Sequence, residues 1–165
     1  MAKTPITRDI AWISLVPQLS FMGLLIFIYS KFNLELLHTI MYGTATYLLI
    51  SFSLRKLFCR NFAEGMKLVK QEQFSEAIPF FEKNVCFFTR NQWLDKFRYI
   101  ALLSSSKKTY KEMGLCNIAF CYSQMGNGAK AKEYYERTRD EFPNNEVALT
   151  ALKLIASAEK ITNNK

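Results

Sequence analysis

Apolar and polar positions are arranged in two different ways along this chain, and the change comes near residue 57. From Ile10 to Tyr29 the sequence IAWISLVPQLSFMGLLIFIY carries no charge. At about 1.5 Å per residue this run matches a hydrocarbon core about 30 Å thick, so it predicts a membrane helix over about 10–29. Pro17 and Gly23 lie inside it. Membrane helices tolerate both, and a bend is expected near Pro17. The run from Leu34 to Leu54 is charged only near its start, at Glu35 and His38. It predicts a second span over about 34–54, with those two residues at the interface. Gly43, Thr44, Ala45 and Thr46 are small enough for close approach of the two helices. A signal peptide fits less well, because the first run is longer than a typical h-region and no small-x-small site follows. A soluble buried hairpin is also disfavoured, since charge-free runs of this length are rare in soluble cores.

Lys and Arg set the orientation. Lys3 and Arg8 precede the first span, while Arg55, Lys56, Arg60, Lys67 and Lys70 follow the second. The connection Ser30–Asn33 carries only Lys31. The positive-inside rule then places both termini in the cytoplasm and the short connection outside. Residues 1–57 are expected to form an anchor. No linker follows it, since SLRKLFCRNFAEGMKLVK has no Pro and no Gly before Gly65. The second helix is expected to run on toward the soluble region 58–165, with Arg55, Lys56 and Arg60 near lipid phosphates.

Beyond residue 57 the apolar positions take a helical period with polar faces between them. Two stretches share a spacing of small residues. Gly65 and Ala77 are twelve apart and Phe81 follows four later; Ala119 and Ala131 are twelve apart, Tyr135 follows four later, and Pro143 follows eight after that. Small residues at such positions let two helices approach at the short end of the usual interaxial range of about 8–10 Å. Met125-Gly126-Asn127-Gly128 reads as a helix stop and turn. Pro143 cannot continue the helix before it, and Asn144 or Asn145 can cap the next one, EVALTALKLIASAEK.

This pattern resembles the tetratricopeptide repeat, a helix–turn–helix unit of about 34 residues. Ile118, Ala119, Tyr122, Ala131, Tyr135 and Pro143 fall on the signature positions of that family, as do Gly65, Leu68, Ala77 and Phe81. The first unit departs from the pattern at Thr89, where the family has proline, and at Asn84, where a small residue is usual. Units are expected at about 58–90 and 111–145, with a capping helix at 146–160. Residues 91–110 are an insertion. Trp93, Phe97 and Ala101 are four apart, which predicts an extra helix, and Ser104-Ser105-Ser106 breaks it. Thr109 and Glu112 form a capping-box signature for the helix that follows. The fold class expected is all-α: a two-helix transmembrane hairpin, then a small right-handed helical array with an inserted helix and a capping helix. Two repeats alone bury too little apolar surface. The rings of Phe80, Phe81, Phe87, Phe88, Trp93, Phe97, Tyr99 and Tyr110 are expected to supply the missing core.

Composition narrows the function. The net charge is +8, which suits nucleic acid, anionic lipid or the cytoplasmic flanks of membrane helices. In the soluble region the basic residues alternate with acidic ones, as in Glu136-Arg137-Thr138-Arg139-Asp140, so a solvated helix face is the better reading and nucleic acid is not expected. Cys59, Cys86, Cys116 and Cys121 form no Cys-x-x-Cys pair, and His38 is the single histidine, so no metal site or cofactor is expected. All four cysteines sit among apolar residues and are expected to be buried, reduced thiols. There is no phosphate loop, Ser/His/Asp set or framed carboxylate pair, so an enzyme is not expected.

The resemblance implies a protein-interaction module, bilayer-anchored, that holds a protein or peptide in a groove lined by the first helix of each unit. Carried over by position, the groove residues are Phe62, Met66, Val69 and Lys70, then Cys116, Phe120, Ser123 and Gln124, and Thr150 and Leu154 from the cap. They are mostly apolar, which suits an apolar or helical ligand rather than a clamped carboxylate. The alternative is a self-associating structural membrane protein, a homo-oligomer with no ligand groove. The expected location is a bacterial inner membrane, where a two-span anchor with a helical domain behind it is at home.

Overall fold

A computed structural model describes residues 11–32 and 35–163 of the chain. Lys3, Arg8 and the start of the first expected span at Ile10 lie outside the described residues. Those described are all-helical, with no strand among them. A single 3-10 turn, Trp12–Ser14, leads into α1, Leu15–Ser30. The expected bend at Pro17 is absent as such. Pro17 falls in the first turn of α1, where a backbone N–H has no intrahelical acceptor and a proline costs little. The helix therefore starts around this residue instead of kinking at it.

α2, Leu36–Phe58, packs along α1. Phe21 lies against Tyr47 and Tyr29 against Tyr42, at ring separations of 6.3 and 6.2 Å. The Tyr29 and Thr46 hydroxyls are 3.0 Å apart. Gly43 permits the closest approach: a Cβ there would stand 2.7 Å from the Ile26 side chain and 3.2 Å from its backbone. Trp12–Ser30 is long and apolar enough to cross a membrane. α2 has the length of the second expected span, but among the described residues only the first helix reaches that apolarity. His38, Thr39, Thr44, Thr46 and Ser51 dilute the run.

α2 ends at Phe58 and α3, Arg60–Lys70, begins two residues later, so only Cys59 interrupts the expected continuation. α4 is Phe74–Arg90, and α5, Gln92–Lys96, and α6, Arg98–Ala101, are short. α7 is Tyr110–Gln124, α8 Gly128–Glu141 and α9 Glu146–Asn163. Contacts divide the chain into two units: 61–91 with 108–163, and 11–60 with 92–107. Residues 92–107, most of the expected insertion, thus group with α1 and α2 and not with α4 and α7–α9.

In the first of these units α7 is central. Met113 through Cys121 are all buried, which no single-faced amphipathic helix permits; α4 covers one side of α7 and α8 the other. One core joins Val69, Ala77, Ile78, Phe81, Val85, Leu115, Ile118, Phe120 and Cys121. A second joins Ala119, Ala131, Tyr135 and Ala148. The small residues identified in the sequence sit where backbones come close: a Cβ on Gly65 would lie 2.8 Å from the Phe81 ring. Gly114 explains why Asn84 is tolerated at a position expected to be small. A Cβ on Gly114 would meet the Asn84 amide at 2.9 Å, so its absence leaves room for Asn84 to donate to the Tyr110 carbonyl at 2.9 Å.

Helix ends follow the sequence signals. Thr109 and Glu112 form the reciprocal capping box. Gly126 takes φ 74°, which ends α7, and Asn127 caps α8 through Lys130 N–H at 3.2 Å. Asn145 caps α9, accepting from Ala148 N–H at 2.8 Å, while its amide donates to Glu112 at 2.8 Å.

In the second unit the insertion is held by two devices. Arg98 is buried and donates to the carbonyls of Ser106 at 2.9 Å, Asp95 at 3.0 Å and Lys107. Leu103 adopts φ 46°, a left-handed conformation unusual for a non-glycine residue. Its carbonyl accepts from Gln18 at 3.2 Å and from Arg55. Of the rings expected to form a core, Phe81, Phe88 and Tyr110 are buried, Phe80, Phe87 and Tyr99 are half-buried, and Trp93 and Phe97 are exposed. The last two are on the insertion, which packs through Leu94, Arg98 and Leu102 instead.

Candidate functional site

The ten residues expected to line a groove occupy three kinds of place. Val69, Cys116 and Phe120 are buried, Phe62 and Met66 half-buried, and Lys70, Ser123, Gln124, Thr150 and Leu154 exposed. Phe120 meets Phe74 edge-on at 6.0 Å and belongs to the core shared with α4. Phe62 packs edge-on against both Phe81 at 5.9 Å and Tyr110 at 5.7 Å. Cys116 faces another way, accepting from the Asn145 amide at 3.4 Å. On the central helix, then, the groove positions are spent on packing, and the exposed members lie at the ends of α3 and α7 and along α9.

Burial, and after it the Glu112 carboxylate, raises the Cys116 thiol to about 11; burial raises Cys121 to about 12. Both stay protonated at neutral pH and have no nucleophilic character there. Cys86 departs from the expectation for the cysteines, being exposed. It stands on the outer face of α4, four residues from both Glu82 and Arg90.

That face borders an open cleft of about 410 Å³ lined by Glu82, Val85, Cys86, Thr89 and Arg90 of α4, Ile118 of α7, and Tyr134 and Arg137 of α8. Its floor is apolar, Val85 and Ile118, and its rim is charged. Tyr134 donates to Glu82 at 3.4 Å and stacks on Tyr122 at 5.6 Å. Burial and then the Glu82 charge keep the Tyr134 phenol protonated beyond its ordinary range. Arg137 is tied to Glu141 at 3.0 Å. The cleft offers an apolar strip between charged side chains.

None of the ten expected residues lines this cleft, which is built mainly on α4 and α8 with Ile118 of α7. Its signal in the sequence is the set Glu82, Val85, Cys86, Thr89 and Arg90, which share a helical face at spacings of three and four. The mixture of acid, base and thiol reads as a solvated face, which is why spacing alone does not single it out. Among the described residues no group of three or more His, Cys, Asp or Glu side chains is placed to hold a metal ion. Comparison with protein-family models, with curated proteins and with solved structures finds no match to this chain.

Proposed function

We propose that the protein is a membrane-anchored interaction module: α1 and α2 cross the bilayer as an antiparallel hairpin, and a tetratricopeptide-like array carried on them holds a partner protein at the cytoplasmic face. The observation that carries the anchor is the reversed polarity of the α1–α2 pair. On α2 the buried residues are Thr39, Gly43 and Ser51, while Leu36, Leu37, Ile40, Met41, Leu48, Leu49 and Phe52 are exposed. On α1, Val16, Leu19, Leu24, Phe27 and Ile28 are exposed. Small and hydroxyl residues buried, with large apolar ones exposed, is the arrangement that suits lipid as the surrounding medium. It also bears on why α2 is less apolar than α1: its Thr39 and Ser51 are buried and its Thr46 hydroxyl meets Tyr29 of α1. Arg55 and Lys56 in the last turn of α2 favour a cytoplasmic position for that end, and a bacterial plasma membrane suits the whole.

The array reading rests on the paired small residues, Gly65 against Phe81 and Ala119 with Ala131, and on the successive packing of α4, α7, α8 and α9. The partner is a protein or peptide, met through the exposed groove members at Ser123, Gln124, Thr150 and Leu154 or through the cleft around Cys86. Three measurements test this. Alkaline carbonate should leave the protein in the membrane pellet, and a reporter fused after Lys165 should score as cytoplasmic; release or an extracytoplasmic score refutes the anchor. A photoreactive residue at Leu154 or Cys86 should capture a distinct protein in membranes. Capture of the same chain alone supports self-association instead.

A further inference from the structure

The segment 92–102 buries an arginine and exposes a tryptophan, the reverse of what water selects. Its backbone keeps one helical register across the break between α5 and α6, through Phe97 N–H to Trp93 O at 2.9 Å and Ala101 N–H to Phe97 O at 2.8 Å. Trp93, Phe97 and Ile100 therefore share an edge, at spacings of four and three, and are 59%, 52% and 65% exposed. The opposite edge, Leu94, Asp95, Arg98 and Leu102, is buried, with Arg98 only 7% exposed. This edge is built, since the Arg98 guanidinium reaches the carbonyls of Asp95, Ser106 and Lys107 and the Tyr99 hydroxyl.

The attachment of the segment fixes where that aromatic edge sits. The Leu103 carbonyl accepts from Gln18, in the first turns of α1, and from Arg55, in the last turn of α2. Ala11 N–H donates to the Ser105 carbonyl at 3.0 Å. All three contacts are at one end of the helix pair, the end that carries Arg55 and Lys56 and exposes Trp12 and Ile13. The left-handed φ of Leu103 is a local strain that persists only where surrounding contacts over-determine it. The segment is thus fastened at the level where a bilayer spanned by α1 has its headgroups. Lys96 lies beside this edge, 5.9 Å from the Phe97 ring, and Lys107 is exposed. Tryptophan and phenylalanine flanked by lysine match the interface of an anionic bilayer, with the rings at the acyl boundary and the amines at phosphates.

On the premise that α1 and α2 are the anchor, we infer that residues 92–101 form an interfacial membrane contact, with Trp93, Phe97 and Ile100 seated in the cytoplasmic leaflet of the same bilayer. The occupant of this exposed edge is lipid, and its place beside the apolar flank of α1 is what selects lipid over a protein partner. The consequence is a third point of contact that ties the insertion between the repeats to the membrane surface.

The chain holds two tryptophans, so Trp12→Phe leaves Trp93 as the sole tryptophan, excited selectively at the red edge beyond tyrosine absorption. The full chain is reconstituted in phosphatidylcholine–phosphatidylglycerol vesicles. The expected result is a blue-shifted Trp93 emission, loss of most of its intensity with lipids brominated near the headgroup end of the acyl chain, a smaller loss with lipids brominated near the chain terminus, and little quenching by iodide. Replacing Phe97 and Ile100 by serine, both exposed and so compatible with folding, should weaken the bromolipid quenching and leave the helical circular dichroism unchanged. Quenching by iodide and not by bromolipid overturns the inference. So does protection from both, which is the signature of a second copy or another protein over the edge. Carbonate extraction of the same vesicles reads the anchor separately. Retained protein with Trp93 outside the lipid sinks only the interfacial contact, whereas released protein sinks the anchor and this inference with it.

Discussion

The α1–α2 pair and the layers around α7 bury opposite kinds of residue. Around α7 the interior holds Phe81, Phe88, Leu115 and Ile118, and the outside carries Lys130, Glu133, Arg139 and Asp140. On α2 the buried residues are Thr39, Gly43 and Ser51, and the exposed ones include leucine, isoleucine and phenylalanine. One rule accounts for both, if the medium differs: large apolar side chains go to the apolar side, which is the protein interior in water and the exterior in lipid. The comparison also bears on residues 92–107, whose exposed Trp93 and buried Arg98 resemble the α1–α2 pair and not the layers around α7.

The sharpest way to break this comparison is to remove the same ring from each region. Phe81 is fully buried in the core of the layered unit and touches Gly65 and Phe62. Phe81→Ala should destabilise that unit by about 3–5 kcal/mol. Phe52 on α2 is among the exposed large residues, and Phe52→Ala should shift the same transition by less than about 0.5 kcal/mol. Urea unfolding of the full chain in detergent, followed by circular dichroism, measures both. Equal costs would refute the reversed polarity.

A second contrast lies within the pair. Gly43 faces the Ile26 backbone, whereas a Cβ on Gly23 would meet nothing within 4 Å. Gly43→Leu should force the helices apart at a cost of about 1–3 kcal/mol, and Gly23→Leu should be close to neutral. Crosslinking between cysteines placed at Phe21 and Tyr47 reads the separation directly. The yield should collapse for the first variant and hold for the second.

The layered unit has its own internal comparison. Asn145 caps α9 from a buried position and also serves Glu112 and Cys116, while Asn127 caps α8 from an exposed one. Asn145→Ala should cost about 2 kcal/mol and Asn127→Ala about 0.5–1 kcal/mol, the two ends of the range for lost caps. A larger loss at Asn127 would contradict the role given to burial.

Punctuation and close approaches were the legible parts of this fold. The Thr109 capping box, the Gly126 stop, the Asn145 cap and the small residues at 65, 77, 119 and 131 are each a local rule with one structural solution, and each is found. The placement of the insertion was not legible, because the contacts that decide it join Gln18, Arg55 and Leu103 across long stretches of sequence. Periodicity saw Trp93 and Phe97 on one face and assigned that face to a core; it cannot say which medium an apolar face meets. The groove at Cys116 and Phe120 met a similar limit. With α4 and α8 both packed on α7, Cys116 and Phe120 are buried. The cleft around Cys86 was hidden for the opposite reason, since its lining is as mixed as any solvated surface.

The smallest expected effect separates the two regions by pH. Glu141 receives an ion pair from Lys111 on α7 and another from Arg137 at 3.0 Å. Burial pushes its carboxyl pKa up, but the hydrogen bonds and charges of Lys111 and Arg137 outweigh this and hold it below the ordinary value. A depressed carboxyl pKa contributes stability that is complete above the unfolded value, about 4.3, and is lost as pH falls through the folded value. The pairs are partly solvent-exposed, so the contribution at neutral pH is less than about 1 kcal/mol and falls with added salt. Glu141→Gln should lower the urea midpoint of the layered unit slightly at pH 7 and leave it unchanged once the pH is below the folded pKa. Neither α1 nor α2 contains Asp or Glu. Crosslinking between positions 21 and 47 should therefore be flat across the same acid window, and a matching loss there would show that the two regions do not respond as separate units.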